Sequence, residues 1–153
     1  MTIKIGDQAP DFTLYNTEKE EISLSQFKGQ KVLILFFPLA FTGVCTTELC
    51  SMRDNIALYN DANCKVLGIS IDTVFTLGKF KEEQNLNFDL LSDFNKTTAE
   101  TYGALYEEFV LGMKGVAKRS AFLVDAEGLV QYAEVLESAG DLPNFEAIQS
   151  ALN

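Results

Sequence analysis

The sequence contains no histidine and no tryptophan. Without an imidazole, catalytic arrangements of the Ser-His-Asp and Cys-His types are excluded, and so is every zinc site that uses a histidine ligand. The aromatic residues are instead 12 phenylalanines and 5 tyrosines. Any side-chain cation that activates a thiol in this chain must therefore be an arginine or a lysine.

Basic residues are scarce, with 12 Lys and Arg against 22 Asp and Glu and a formal net charge of −10. A phosphate backbone or an anionic membrane surface would repel such a chain, so we expect neither nucleic acid nor membrane as a partner. No segment approaches the ~20 apolar residues of a membrane span, and the start of the sequence lacks the apolar stretch of a signal peptide. We therefore expect a cytoplasmic protein.

The 153 residues are about the size of one domain. No linker, low-complexity tract or internal repeat interrupts them, which predicts a single domain over residues 1–153. In a reducing compartment, its three cysteines are not expected to form a structural disulfide framework. Each cysteine is then either a core thiol or a reactive one.

The hydrophobic pattern predicts an α/β fold of thioredoxin-like type, a mixed sheet flanked by helices with an N-terminal β-hairpin. The predicted strands are segments 11–14 and 21–24 of that hairpin, the central strands 32–37 and 66–71, the short strand 88–91, and a second hairpin, 120–124 with 129–135. The predicted helices are 46–60, 75–84, 97–102 and a last one from Pro143 to about Leu152.

Cys45 lies at the junction between the first central strand and the first helix. In α/β proteins, sites collect at the carboxyl ends of strands and at helix N-termini. Unpaired N–H groups and the positive end of the helix dipole stabilise a thiolate there and lower its pKa. Thr42, three residues earlier, is placed to bring a hydroxyl next to the sulfur and to an incoming oxygen.

The motif Pro38-x-x-x-Thr42-x-x-Cys45 resembles the active site of peroxiredoxins, thiol peroxidases that use no metal or prosthetic group. The resemblance continues through segments 6–14, 68–70, 91–93 and 118–125. It implies that Cys45 is the peroxidatic cysteine, that Pro38 shields it, that Thr42 contacts the peroxide, and that Arg119 stabilises thiolate and substrate. It also implies reduction of hydrogen peroxide and organic hydroperoxides, with a thioredoxin-like or low-molecular-weight thiol as reductant.

Glu48 shares a helix face with Cys45, because three residues separate them. One interpretation is that it pairs with Arg119 and orients the guanidinium, as the matching acidic position does in the family. The alternative is a solvated carboxylate that merely suits the helix dipole.

Cys50 lies five residues after Cys45, at the spacing of the resolving cysteine in the Q-type, bacterioferritin-comigratory subgroup. Five helical residues separate two Cα atoms by ~8.7 Å, whereas disulfides rarely exceed ~7 Å, so a bond requires the helix to unwind. Segment 37–45, however, resembles the one-cysteine alkyl hydroperoxidase E-like subgroup, in which an external thiol resolves. Cys64 has no activating neighbour in sequence and is expected to be structural.

Two other functions use the same fold. A disulfide oxidoreductase would require Cys-x-x-Cys, whereas this chain has Cys-x-x-x-x-Cys. A redox-sensing module would oxidise once without efficient recycling. Apolar residues in segments 39–41 and 106–113 favour a homodimer through these loops, unless they fold back over Cys45 in a monomer.

Overall fold

The computed structural model describes residues 3–152, and within them a sheet of seven strands is flanked by five α-helices. The strands are β1 (Thr13–Asn16), β2 (Glu21–Ser23), β3 (Lys31–Phe36), β4 (Cys64–Ser70), β5 (Asp89–Ser92), β6 (Ser120–Val124) and β7 (Val130–Val135). The helices are α1 (Gly43–Asp54), α2 (Ile56–Asp61), α3 (Val74–Gln84), α4 (Thr97–Thr101) and α5 (Phe145–Ala151). Short 3-10 turns occupy Leu24–Phe27 and Val110–Gly112.

The sheet is mixed, with the strand order β2-β1-β5-β4-β3-β6-β7. β3, β4 and β5 are parallel neighbours, whereas β6 and β7 continue the sheet in antiparallel pairing on the other side of β3. β1 and β2 form the N-terminal hairpin. The predicted α/β class, the mixed sheet and both hairpins are confirmed.

β3 is the central strand and is covered on both faces. Leu33 and Leu35 belong to one hydrophobic cluster, together with residues of α1 and α3. Ile34 and Phe36 belong to a second cluster on the opposite face of the sheet. This double burial explains the unbroken apolar run, because successive strand residues face opposite sides.

The helix predicted over 46–60 is wrong in both its start and its continuity. α1 begins at Gly43, three residues earlier, and the chain breaks at Asn55 before α2. The Asn55 side chain donates to the Ser51 carbonyl at 2.9 Å, the acceptor that the Asn55 backbone N–H would use in a continuous helix. The earlier start places Cys45 within the first turn of α1.

None of the helices described within residues 3–152 is long and apolar enough to cross a membrane.

Candidate active site

Cys45 is the third residue of α1, and its side chain is only 1% exposed. β3 ends at Phe36, and the chain passes through Pro38 and a short loop before Thr42 caps the helix with an extended backbone conformation. The sulfur therefore lies in the first turn, where backbone N–H groups lack partners within the helix. This is the location that the sequence predicts.

Arg119 reaches this thiol from the opposite side of the chain. It immediately precedes β6, and the antiparallel pairing of Phe36 with Ser120 brings it next to the carboxyl end of β3. Its Nη1 and Nη2 atoms each donate to Cys45 Sγ at 3.4 Å, and Nη2 also donates to the Ala139 carbonyl at 3.0 Å. The guanidinium is thus buried against the sulfur, at 1% residue exposure.

Glu48 completes a buried cluster with this guanidinium. Arg119 Nη1 donates to Glu48 Oε1 at 2.6 Å, and Glu48 is fully buried. Burial raises the pKa of Glu48 to about 7, although the charge and hydrogen bond of Arg119 oppose this shift. The alternative of a solvated carboxylate does not describe this side chain.

The two anionic groups also act on Arg119. Burial disfavours the charged guanidinium, but Glu48 and Cys45 outweigh burial and hold the pKa of Arg119 above its ordinary value. The arginine is therefore a permanent cation beside the thiol. Arg119 Nε and Glu48 Oε2 are buried without hydrogen-bond partners.

Pro38 and Thr42 line a cavity of about 440 Å³ that is also lined by Cys45 and Arg119. Pro38 is buried, whereas Thr42 is exposed, and its hydroxyl donates to the Leu39 carbonyl at 2.8 Å. The remaining wall is mostly apolar and comes from the loop before α1 and from the segment around the second 3-10 turn. It includes Leu39, Val44, Phe109, Val110, Leu111 and Met113.

All three cysteines are free thiols. Cys50 lies on α1, partly buried, and its thiol donates to Gln84 Oε1 at 3.4 Å. Cys64 is the first residue of β4, and burial raises the pKa of its thiol to about 12. The structure therefore joins Cys45, Glu48 and Arg119 in direct contact, and it holds Cys50 and Cys64 apart from them.

Asp72 supports the active-site loop and was missed by the sequence analysis. Its Oδ2 accepts from the Ala40 backbone N–H at 2.9 Å and from the Ser70 hydroxyl at 2.6 Å. The signal that could have found it is its position just beyond the carboxyl end of β4, where sites collect in α/β proteins. No sequence pattern identified the second acceptor of the site, the Ala139 carbonyl.

These features define a class: an α/β protein that presents an arginine-bound cysteine at a helix N-terminus, below an open cavity. Within residues 3–152, no group of three or more metal-ligating side chains is placed to hold a metal ion.

Comparison with known proteins agrees with this class. The sequence model of the AhpC/TSA family matches residues 5–133. The peroxiredoxin Bcp of Escherichia coli is 39% identical over 132 residues, which are 85% of this chain and 84% of that protein.

Two solved structures are similar over almost the whole chain. Peroxidoxin BcpB of Mycobacterium tuberculosis superposes with a TM-score of 0.86 at 29% identity, covering 98% of this chain and 96% of that one. The bacterioferritin comigratory protein of Xanthomonas campestris superposes with a TM-score of 0.83 at 26% identity, covering 98% and 95%. The chain belongs to the AhpC/TSA family and is a peroxiredoxin, a thiol-dependent peroxidase.

Proposed function

We propose that Cys45 is the peroxidatic thiol and that it reduces hydroperoxides. The observation that carries this assignment is the pair of 3.4 Å contacts from both terminal nitrogens of Arg119 to Cys45 Sγ. A cation and a helix N-terminus both stabilise the thiolate, which is the nucleophilic form. The thiolate attacks the distal peroxide oxygen, the O–O bond breaks, and the protein keeps a sulfenic acid while water or an alcohol leaves.

Arg119 acts on both reactants. In the free protein its guanidinium stabilises the thiolate, and during the attack it stabilises the negative charge that develops on the leaving oxygen. Glu48 is a positioning residue, because its 2.6 Å bond to Nη1 fixes the plane of the guanidinium. The ion pair keeps the arginine oriented toward the sulfur.

Thr42 and Pro38 shape the space above the sulfur. The Thr42 hydroxyl donates its proton to the Leu39 carbonyl, so its oxygen lone pairs remain free to accept a hydrogen bond from the peroxide O–H. Pro38 is buried at the base of the cavity and has no N–H group, so it shields the thiolate without competing for it.

The cavity accommodates organic hydroperoxides as well as hydrogen peroxide. Its volume of about 440 Å³ and its mostly apolar wall fit an alkyl chain behind the reacting oxygens. The structural work on the Xanthomonas campestris relative concerns alkyl peroxide reduction by that protein. We infer the same substrate class here.

Cys50 is the thiol that resolves the sulfenic acid. It lies on the same helix as Cys45 and is partly accessible, whereas Cys64 is buried at the start of β4 with a pKa raised to about 12. A thioredoxin-like protein or a low-molecular-weight thiol then reduces the disulfide. Such reductants belong to a reducing compartment, and we propose a cytoplasmic location.

The test is mass spectrometry of the protein after one equivalent of peroxide. We expect the loss of two hydrogens and a peptide linked through Cys45 and Cys50. Cys45→Ser should abolish peroxide consumption, whereas the matched control Cys64→Ser should retain it. Loss of activity in the control variant alone would refute the assignment. A stable sulfenic acid that turns over only with added thiol would identify a one-cysteine enzyme.

A further inference from the structure

The second step of the cycle is obstructed by the structure, and this inference rests on the proposed role of Cys50. Cys45 and Cys50 occupy one continuous helix, Gly43–Asp54. At five residues' separation their Cα atoms are ~8.7 Å apart and ~140° around the helix axis, beyond the reach of a disulfide. The resolving step therefore requires the helix to open, and the contacts that hold Cys50 oppose that opening.

Cys50 is held by a residue of another helix. Its thiol donates to Oε1 of Gln84, the last residue of α3, at 3.4 Å. This is the only side-chain hydrogen bond of Cys50 among the described residues. It points the sulfur toward α3 and away from Cys45.

Arg53 makes a second link between the same two helices, one turn further along α1. Its Nη1 donates to the Gln84 backbone carbonyl, and its Nε forms an ion pair with Asp54 at 2.9 Å. Asn87, just beyond α3, donates to the Arg53 carbonyl at 3.3 Å. Gln84 thus receives one hydrogen bond on its side chain and another on its backbone, both from α1.

The Cys45 end of the helix is anchored differently. Leu49 and Met52 are 0% and 1% exposed in the core, and Glu48 is bound to Arg119. The contacts of Cys50 with α3 are polar and lie near the surface, so they are the ones that the resolving step can exchange at low cost.

We propose that Gln84 is a positioning residue for the resolving thiol and that, with Arg53, it forms a latch that keeps Cys50 on α3 and slows disulfide formation. In the step concerned, the Cys50 sulfur attacks the Cys45 sulfur of the sulfenic acid. The S–S bond forms, the S–O bond breaks, and the departing hydroxide takes the Cys50 proton and leaves as water. Before this, the Cys50 thiol must release Gln84.

The latch determines how long the sulfenic acid survives. A longer-lived sulfenic acid is exposed to a second peroxide molecule, which oxidises it to sulfinic acid. Releasing the latch is therefore expected to speed disulfide formation and to reduce overoxidation. It is expected to leave the first step unchanged, because Gln84 makes no contact with Cys45, Arg119 or Glu48 among the described hydrogen bonds.

The experiment is single-turnover rapid quench with hydrogen peroxide on the full chain, with sulfenic acid trapped by a dimedone-type reagent and disulfide measured by mass. Gln84→Ala removes the acceptor and keeps a good helix former. Gln84→Glu restores an oxygen at the same position. Glu83→Ala is the matched control, because it removes an exposed neighbour on the same helix.

We expect disulfide formation to be roughly threefold faster or more in Gln84→Ala, with sulfenic acid formation unchanged. The Gln84→Glu and Glu83→Ala variants should both behave like the wild type, and overoxidation should fall in Gln84→Ala alone. If wild type and Gln84→Ala form the disulfide at the same rate, the latch is refuted while the peroxidase assignment stands. If the wild type forms sulfenic acid but never an internal disulfide, the role of Cys50 and the latch both fail.

Discussion

At the scale of single residues, the site depends on one guanidinium doing the work that an imidazole does in many thiol enzymes. Arg119 touches Cys45 with two nitrogens and Glu48 with one. Because arginine does not lose its proton at physiological pH, this activation does not switch off as a histidine would. Two predictions follow from the cluster.

Arg119→Ala should slow peroxide reduction by about tenfold or more, because a charge-assisted hydrogen bond contributes ~1.5–3 kcal/mol and each 1.36 kcal/mol is a factor of ten. Stopped-flow measurement of the second-order rate constant tests this. Arg119→Lys keeps the charge with a single donor nitrogen and should recover part of the rate. Circular dichroism must first show a folded variant, because Glu48 is left buried without its partner. An unchanged rate constant in Arg119→Ala would remove the residue from the site.

Glu48 predicts a pH dependence of stability. Its pKa rises on folding from the ordinary 4.5 to about 7 because of burial. The folded state therefore binds the proton more tightly, and this contribution is complete below the unfolded pKa and lost as pH rises through about 7. The shift corresponds to roughly 3 kcal/mol. Urea unfolding between about pH 5 and about pH 8 should show a smaller loss in Glu48→Gln than in the wild type. Parallel stability curves for the two proteins would contradict it.

At the scale of elements, the active-site loop is tied to the sheet by Asp72. Asp72→Ala would leave the buried Ala40 N–H and the Ser70 hydroxyl without their acceptor, at a cost of about 1–3 kcal/mol. We expect lower stability and slower reaction of Cys45 with peroxide, because the Pro38–Thr42 loop loses its anchor. Asp72→Asn keeps an acceptor oxygen and should stay close to the wild type.

Ser92→Ala is the matched control for this loop. The Ser92 hydroxyl donates to the Asp72 carbonyl at 2.6 Å, on the side of Asp72 away from the loop. Its loss should lower the urea midpoint without slowing the peroxide step. Equal slowing in the Ser92 and Asp72 variants would show a general destabilisation rather than a loop anchor.

The same scale shows what the sequence could predict. Continuous apolar runs identify β3 and β4 because both faces of these strands are buried, and the Pro-Thr-Cys motif identifies the start of α1. The break at Asn55 was missed because Ile56 and Tyr59 continue the helical spacing of apolar residues across it. The contact of Cys50 with Gln84 spans 34 residues, and no local pattern records it. Long-range side-chain pairs of this kind depend on how α1 and α3 pack.

At the scale of the whole molecule, charge and exposed apolar area oppose each other. Three apolar side chains near the cavity mouth are exposed: Phe41 at 49%, Val110 at 60% and Leu111 at 94%. We predict a homodimer through this surface. Because each copy carries a net charge of −10, added salt should strengthen the dimer by screening repulsion. Analytical ultracentrifugation at low and moderate salt tests this. A single 16.9 kDa species under both conditions, well above micromolar concentration, would refute it.

The order in which the chain is synthesised gives the buried arginine another consequence. Cys45 and Arg119 are 74 residues apart, and at ~5–20 residues per second the ribosome makes the cysteine several seconds before its cation. Until β6 pairs with β3, the nascent thiol has no guanidinium beside it and remains an ordinary, slowly oxidised cysteine. Reactivity toward peroxide therefore begins only when the last strands join the sheet, and an unfinished chain is protected from the oxidant that the finished enzyme consumes.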